Sequence, residues 1–131
     1  MIYVIGIGPG SKELMTMQCI DAIKDAEVIV GYKTYINLIT DLIEGKEVVQ
    51  NGMRQEIDRC REAVEIAKTG KKVAVISSGD AGIYGMAGLI LELTAKEEQN
   101  IDVKVVPGVT ASIGAAAILG APIMHDFCHI S

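Results

Sequence analysis

Between residues 71 and 88 the chain reads Lys-Lys-Val-Ala-Val-Ile-Ser-Ser-Gly-Asp-Ala-Gly-Ile-Tyr-Gly-Met-Ala-Gly, and this stretch constrains the fold more than any other. Val73, Ala74, Val75 and Ile76 show none of the apolar–polar alternation of a half-exposed strand. An unbroken aliphatic run of this length predicts a parallel strand covered by helices on both faces. The run stops at two hydroxyls, one carboxylate and glycines at 79, 82, 85 and 88, so backbone can approach a ligand where side chains would obstruct it. Taken alone, Ser78-Gly79-Asp80 reads equally well as an ordinary turn with Asp80 capping a helix. The other loops decide between the two.

The same grammar recurs along the chain. Residues 2–7 are apolar and end in Gly6-Ile-Gly-Pro-Gly10-Ser11, before a helical pattern carrying Leu14, Met15, Cys19, Ala22 and Ile23. Residues 26–30 predict a second strand, broken at Gly31-Tyr-Lys-Thr-Tyr35 before a helical pattern through Ile36, Leu38, Ile39 and Leu42. Residues 47–49 predict a short edge strand. A helix then runs to residue 67, with Gly70 ending it; Ile57, Cys60, Val64 and Ala67 point inward, and the charged residues at 56, 58, 59, 61, 62, 65 and 68 form a solvated face. A further helix spans 84–96, residues 101–106 form the fifth strand, and Pro107-Gly-Val-Thr-Ala-Ser112 opens a helix of small residues closed by Gly120 and Pro122. The expected architecture is α/β: an open, mostly parallel five-stranded sheet with helices on both faces. Residues 1–120 form this domain, and 121–131 form a linker or the start of a second domain that the chain does not contain.

Composition excludes several function classes. A formal net charge of −5, with no cluster of Lys and Arg, argues against a nucleic-acid partner. No basic leader, and no apolar run long enough to span a bilayer, argue for a cytoplasmic protein without a membrane partner. Cys19, Cys60 and Cys128 are odd in number and lack the spacing of a zinc or redox motif. His125 and His129 stand four apart in a stretch expected to be extended, where they would not share a face, so no metal site is expected. The glycine loop at 6–10 fails as a dinucleotide fingerprint: Ser11 stands where the third glycine belongs, and Pro9 removes an N–H from the pyrophosphate cradle. No P-loop occurs either.

In a parallel sheet every strand's carboxyl end lies on one edge, and ligands bind in the crevice outside it. The loops at 8–11, 31–35, 50–55, 77–85 and 107–112 therefore line one rim. The opposite loops, near Asp25, Gly45, Gly70 and Asn100, are ordinary charged turns.

Gly6-Ile-Gly-Pro-Gly10, Ser78-Gly-Asp-Ala-Gly82 and Pro107-Gly-Val-Thr-Ala111, in that order and spacing, resemble the three signatures of the tetrapyrrole (corrin and porphyrin) methylase superfamily. Val30-Gly-Tyr-Lys-Thr-Tyr35, Gly52-Met-Arg-Gln-Glu56 and Gly120-Ala-Pro-Ile-Met-His-Asp-Phe127 are similar to its branch that methylates precorrin-3B in cobalamin biosynthesis. The resemblance implies two α/β domains with S-adenosylmethionine between them, commonly in a homodimer. It also implies methyl transfer to a ring carbon of a precorrin-3B-like tetrapyrrole, with ring contraction. Carried over by position, Pro9, Gly79, Asp80, Ile83, Thr110 and Ala111 contact the cofactor. Tyr32, Lys33, Met53 and Arg54 belong to the substrate side, the two cations being suited to a polyanionic substrate on an acidic chain. No catalytic residue is assigned: related uroporphyrinogen methylases place an aspartate near the position of Tyr32, and this chain departs from them there. Diphthine synthases and ribosomal-RNA ribose methylases share the cofactor loops but differ at 31–35 and 52–56, and a non-catalytic binding module is the remaining alternative. The rim with Tyr32, Met53, Ile83 and Met86 is expected to stand exposed.

Overall fold

The computed structural model describes residues 1–52 and 55–130. Five strands, β1 (Ile2–Gly6), β2 (Val28–Tyr32), β3 (Glu47–Asn51), β4 (Val73–Ser77) and β5 (Val103–Val106), form one sheet in the order β3-β2-β4-β1-β5. Every pairing is parallel. Between them run α1 (Met17–Asp25), the single turn α2 (Lys33–Ile36), α3 (Glu56–Lys68) and α4 (Ala87–Thr94); α5 (Ala111–Leu119) follows β5.

Burial follows position in the sheet. All five residues of β1 and of β4 are buried, as unbroken aliphatic runs require in a sheet covered twice. The edges are wetter: Val48 of β3 and Val105 of β5 are exposed. Successive side chains alternate between two cores. Ile2, Val4, Val73 and Val75 pack with Cys60, Val64 and Ile90 of α3 and α4, whereas Ile5, Ala74 and Ile76 pack with Cys19, Ile23 and Ile36 of α1 and α2. Each such Ile or Val contributes about 1.5–3 kcal/mol relative to an exposed one.

The direction in which the chain steps across the sheet reverses between β1 and β4, although the two strands are parallel. The connection after β1 leaves over the α1 face and that after β4 over the α4 face, so the crevice that ligands favour in open α/β sheets lies at the carboxyl ends of these two strands.

Several expected boundaries move. β2 runs through Gly31 to Tyr32, because the missing side chain admits a neighbouring helix: a Cβ at Gly31 would lie 2.7 Å from Ile36 Cδ1. The helical pattern through Leu42 resolves into α2 and a 3-10 turn at Thr40–Leu42. The helix expected from residue 84 starts at Ala87, since Tyr84 adopts φ 52° and Gly85 is wedged against Ala81, where a Cβ would sit 2.3 Å from its carbonyl oxygen. Residues 121–130 form neither helix nor strand. Helix α3 is rotated from its expected phase: Ile57 is 53% exposed and Arg59 only 4%. Its buried stripe is Arg59, Cys60, Ala63, Val64 and Ala67, a proper i, i+3, i+4 pattern.

Candidate functional site

Three glycines let the loops after β1, β4 and β5 interlock. Gly8 and Gly79 exchange two backbone hydrogen bonds, of 3.0 and 2.8 Å. Gly108 lies so close that a Cβ on it would sit 2.2 Å from Gly79 O and 2.6 Å from Gly6 O. Asp80 completes the knot: Oδ1 accepts from the Gly82 N–H at 2.8 Å and Oδ2 from the Gly108 N–H at 2.9 Å. The carboxylate thus shapes the rim, and each oxygen keeps a second lone pair for a ligand.

Outside this knot lies a cleft of about 250 Å³, lined among others by Ser78, Gly79, Asp80, Ile83, Thr110 and Ala111. Five of the six residues assigned to the cofactor therefore share one wall. Pro9 is outside it and lies against Gly114 of α5, where a Cβ would meet Pro9 Cγ at 3.2 Å. A wall built largely of small residues, with one carboxylate and neither Lys nor Arg among the residues that line it, fits the methionine ammonium and ribose of S-adenosylmethionine, which carries positive charge at sulfur. Residues 121–130 return to this cleft: His129 meets Ser112 Oγ through Nε2, and its ring stands edge-on to Tyr84.

A second cavity, of about 230 Å³, adjoins the first through Ser78 and Tyr84, which line both. Its other walls are Tyr32, Tyr35, Glu56, Arg59, Ser77, Gly85 and Met86. Tyr32 and Tyr35 stack edge-to-face with centroids 5.3 Å apart, and the Arg59 guanidinium carbon lies 6.0 Å from the Tyr32 ring centroid. Of the residues assigned to the substrate side, Tyr32 is on this wall and Lys33 is exposed at the start of α2, outside it. Met53 and Arg54 lie outside the described residues.

Two side chains lie elsewhere than expected, both of them buried. Met86 is buried, not exposed on the rim, because the turn at 81–86 folds its thioether onto Arg59, whose Nη1 lies 3.8 Å from Sδ. Arg59 is no member of a solvated face and closes the second cavity. Its spacing of four from Ala63 and eight from Ala67 carried that signal, outvoted by its charge.

The opposite edge of the sheet is closed by charge. Asp25 accepts from Tyr3 Oη at 2.6 Å and from Lys72 Nζ at 2.8 Å. The Lys72 bond, aided by that from Tyr3, holds the Asp25 carboxyl below its usual range. Lys71 pairs with Glu47. A hollow of about 360 Å³ does lie beside Tyr3 and Asp25, but no glycine loop enters its wall of Gln18, Asp21, Ala22 and Lys104, so the candidate site is placed on the carboxyl-end rim, where the glycine loops meet.

Fold and rim together define an α/β domain whose glycine loops line a small cleft beside a second cavity with tyrosines in its wall. The family Tetrapyrrole (Corrin/Porphyrin) Methylases matches residues 1–131, and the chain belongs to that family. It is 58% identical over 131 residues to a protein of Salmonella typhimurium named probable cobalt-factor III C(17)-methyltransferase, covering all of this chain and 54% of that protein. The crystal structure of the methyltransferase CobJ superposes with a TM-score of 0.90 at 40% identity, over 98% of this chain and 54% of that one. Uroporphyrin-III C-methyl transferase from Thermus thermophilus, solved with S-adenyl homocysteine, gives 0.75 at 26% identity, over 95% of this chain and 50% of that one. The chain thus spans about half the length of these relatives.

Proposed function

We propose that this chain carries the S-adenosylmethionine cleft and part of the tetrapyrrole surface of a cobalamin-biosynthesis enzyme. That enzyme methylates a ring carbon of precorrin-3B, or of a cobalt-bearing counterpart such as the cobalt-factor III in the Salmonella relative's name, with contraction of the ring. The observation that carries the reading is the pair of adjoining cavities joined at Ser78 and Tyr84: a methyl donor in one and an acceptor in the other would meet across these two side chains. Gly79, Asp80, Ile83, Thr110 and Ala111 hold the donor, with Pro9 on the flanking loop. Tyr32 faces the acceptor, and Lys33, Met53 and Arg54 complete the substrate side.

When bound, S-adenosylmethionine supplies an electrophilic methyl group. The chain's own residues position and desolvate; the rate gain of an in-line displacement comes chiefly from alignment, and the reading requires no nucleophilic side chain. The remaining cofactor contacts come from a second domain, which the greater length of the relatives accommodates. We further assign the enzyme to the cytoplasm, which the free thiols of Cys19, Cys60 and Cys128 suit. Association as a homodimer has support in the exposed Ile113, Ile118, Leu119 and Phe127.

The test is transfer of labelled methyl from S-adenosylmethionine by the full-length protein, offered precorrin-3B and cobalt-factor III separately. Label in the tetrapyrrole, with one methyl added by mass, is the expected result. Tight S-adenosylhomocysteine binding without label in either acceptor would overturn the substrate assignment and leave the cofactor cleft standing.

A further inference from the structure

Arg59 is the one charged side chain buried among the described residues, and its guanidinium is underused. Nη2 donates to Gly52 O at 3.0 Å, Nη1 approaches the weak acceptor Met86 Sδ at 3.8 Å, and Nε has no partner. Arginine has five N–H donors and no acceptor, so three find no partner among the described residues. Arg59 joins none of the ion pairs found among the described residues. A buried, unneutralised cation is costly to a fold unless something offsets it, and a carbonyl, a thioether and the Tyr32 ring are weak compensation.

The cavity that Arg59 closes holds about 230 Å³, and five hydroxyl-bearing residues, Tyr32, Tyr35, Ser77, Ser78 and Tyr84, are among those that line it. That is too small for a macrocycle and suits one of its side arms. Glu56 is the single acidic residue in the wall; it is exposed, and it forms no ion pair with Arg59. We infer that Arg59 and the surrounding hydroxyls form a carboxylate-binding subsite that takes one peripheral carboxylate arm of the tetrapyrrole and so fixes which ring edge faces the cofactor cleft. This inference rests on the proposed function and adds to it a specificity-determining residue. A guanidinium fork matches a carboxylate in a way a lysine cannot. The competing account is that Arg59 only pins the Gly52 carbonyl before α3.

The test uses the full-length protein with two probes: uroporphyrin, whose pyrroles bear carboxylate arms, and its fully esterified form, each titrated by absorbance, with S-adenosylhomocysteine binding followed in parallel. Wild type should prefer the acid. Arg59→Met should bind the acid at least about tenfold more weakly, while ester and S-adenosylhomocysteine affinities stay within about twofold. If Arg59→Met does not fold, Arg59→Lys serves, and a loss of several-fold confined to the acid is expected. Unchanged acid preference in the variant that folds, or equal losses for acid, ester and S-adenosylhomocysteine, would overturn the subsite while the methyl-transfer assay above still stood. Wild type that binds neither probe and methylates no tetrapyrrole would overturn both readings together.

Discussion

Asp80 Oδ2 accepts the backbone N–H of Gly108 at 2.9 Å, tying the loop after β4 to the loop after β5 across the mouth of the cleft. With Oδ1 bound to the Gly82 N–H, the carboxylate builds the site before any ligand enters it. Asp80→Asn keeps the size but must turn an amide donor toward one of these two N–H groups, forfeiting a charge-assisted bond at a cost of about 1.5–3 kcal/mol. The expected outcome is a lower melting temperature together with S-adenosylhomocysteine affinity reduced by on the order of tenfold. Calorimetry that finds melting lowered and affinity untouched would mean the cleft tolerates a loosened loop.

Gly108 and Gly88 make a contrasting pair. A methyl at Gly108 would sit 2.2 Å from one carbonyl oxygen and 2.6 Å from another, all of it backbone that cannot swing aside, whereas a methyl at Gly88 on α4 meets nothing within 4 Å. Gly108→Ala should destabilise the fold by roughly 3 kcal/mol or more, in the range of severe overpacking. Gly88→Ala should stabilise it by about 0.5–1 kcal/mol through helix propensity. Urea unfolding of both variants decides; a mild Gly108→Ala would show that the three loops are not locked.

The strands and the rim were legible because both follow from local rules. Unbroken aliphatic runs have one home in an α/β sheet, and parallel order puts every glycine loop on one edge. What stayed hidden depended on neighbours far away in sequence. Gly31 reads as a break until Ile36 is seen packing against it. Arg59 reads as solvated because charge outweighs phase, although its spacing from Ala63 and Ala67 places it on the buried stripe of α3. The second cavity needed Tyr32, Arg59 and Tyr84 from three separate segments, and no single motif contains them.

Cys19 and Cys60 are buried in the two opposite cores, and burial pushes both thiols up to about 11 from the ordinary 9.0. The unfolded chain ionises these thiols from about pH 9 while the folded chain keeps them protonated, so their contribution is complete below pH 9 and is lost as pH rises toward 11. The linkage slope is at most about 1.4 kcal/mol per pH unit for each thiol. Lys71 and Lys72, raised by bonds to Glu47 and Asp25, act in the same direction. Unfolding midpoints should fall from pH 9 upward, less steeply in Cys60→Ala. A disulfide reagent at pH 8 should label exposed Cys128 at once and the other two only on unfolding; three equal rates would contradict the buried placement.

Tyr84 concentrates a conflict between stability and function. It is 68% exposed and adopts φ 52°, a left-handed conformation that costs a bulky L-residue on the order of 1 kcal/mol or more, and little burial offsets that strain. Its ring nevertheless lines both cavities and stands edge-on to His129, so the strain keeps an aromatic wall where donor and acceptor would meet. Tyr84→Gly should release the strain and raise stability by about 0.5–1 kcal/mol, after allowance for the greater entropy of the unfolded glycine chain. The same change opens the partition between the cavities and should raise the Michaelis constant for the tetrapyrrole and lower turnover, with S-adenosylhomocysteine affinity falling less. Melting curves and methyl-transfer kinetics on one preparation separate the two effects. A variant that is more stable and fully active would show that residue 84 is strained for no functional return.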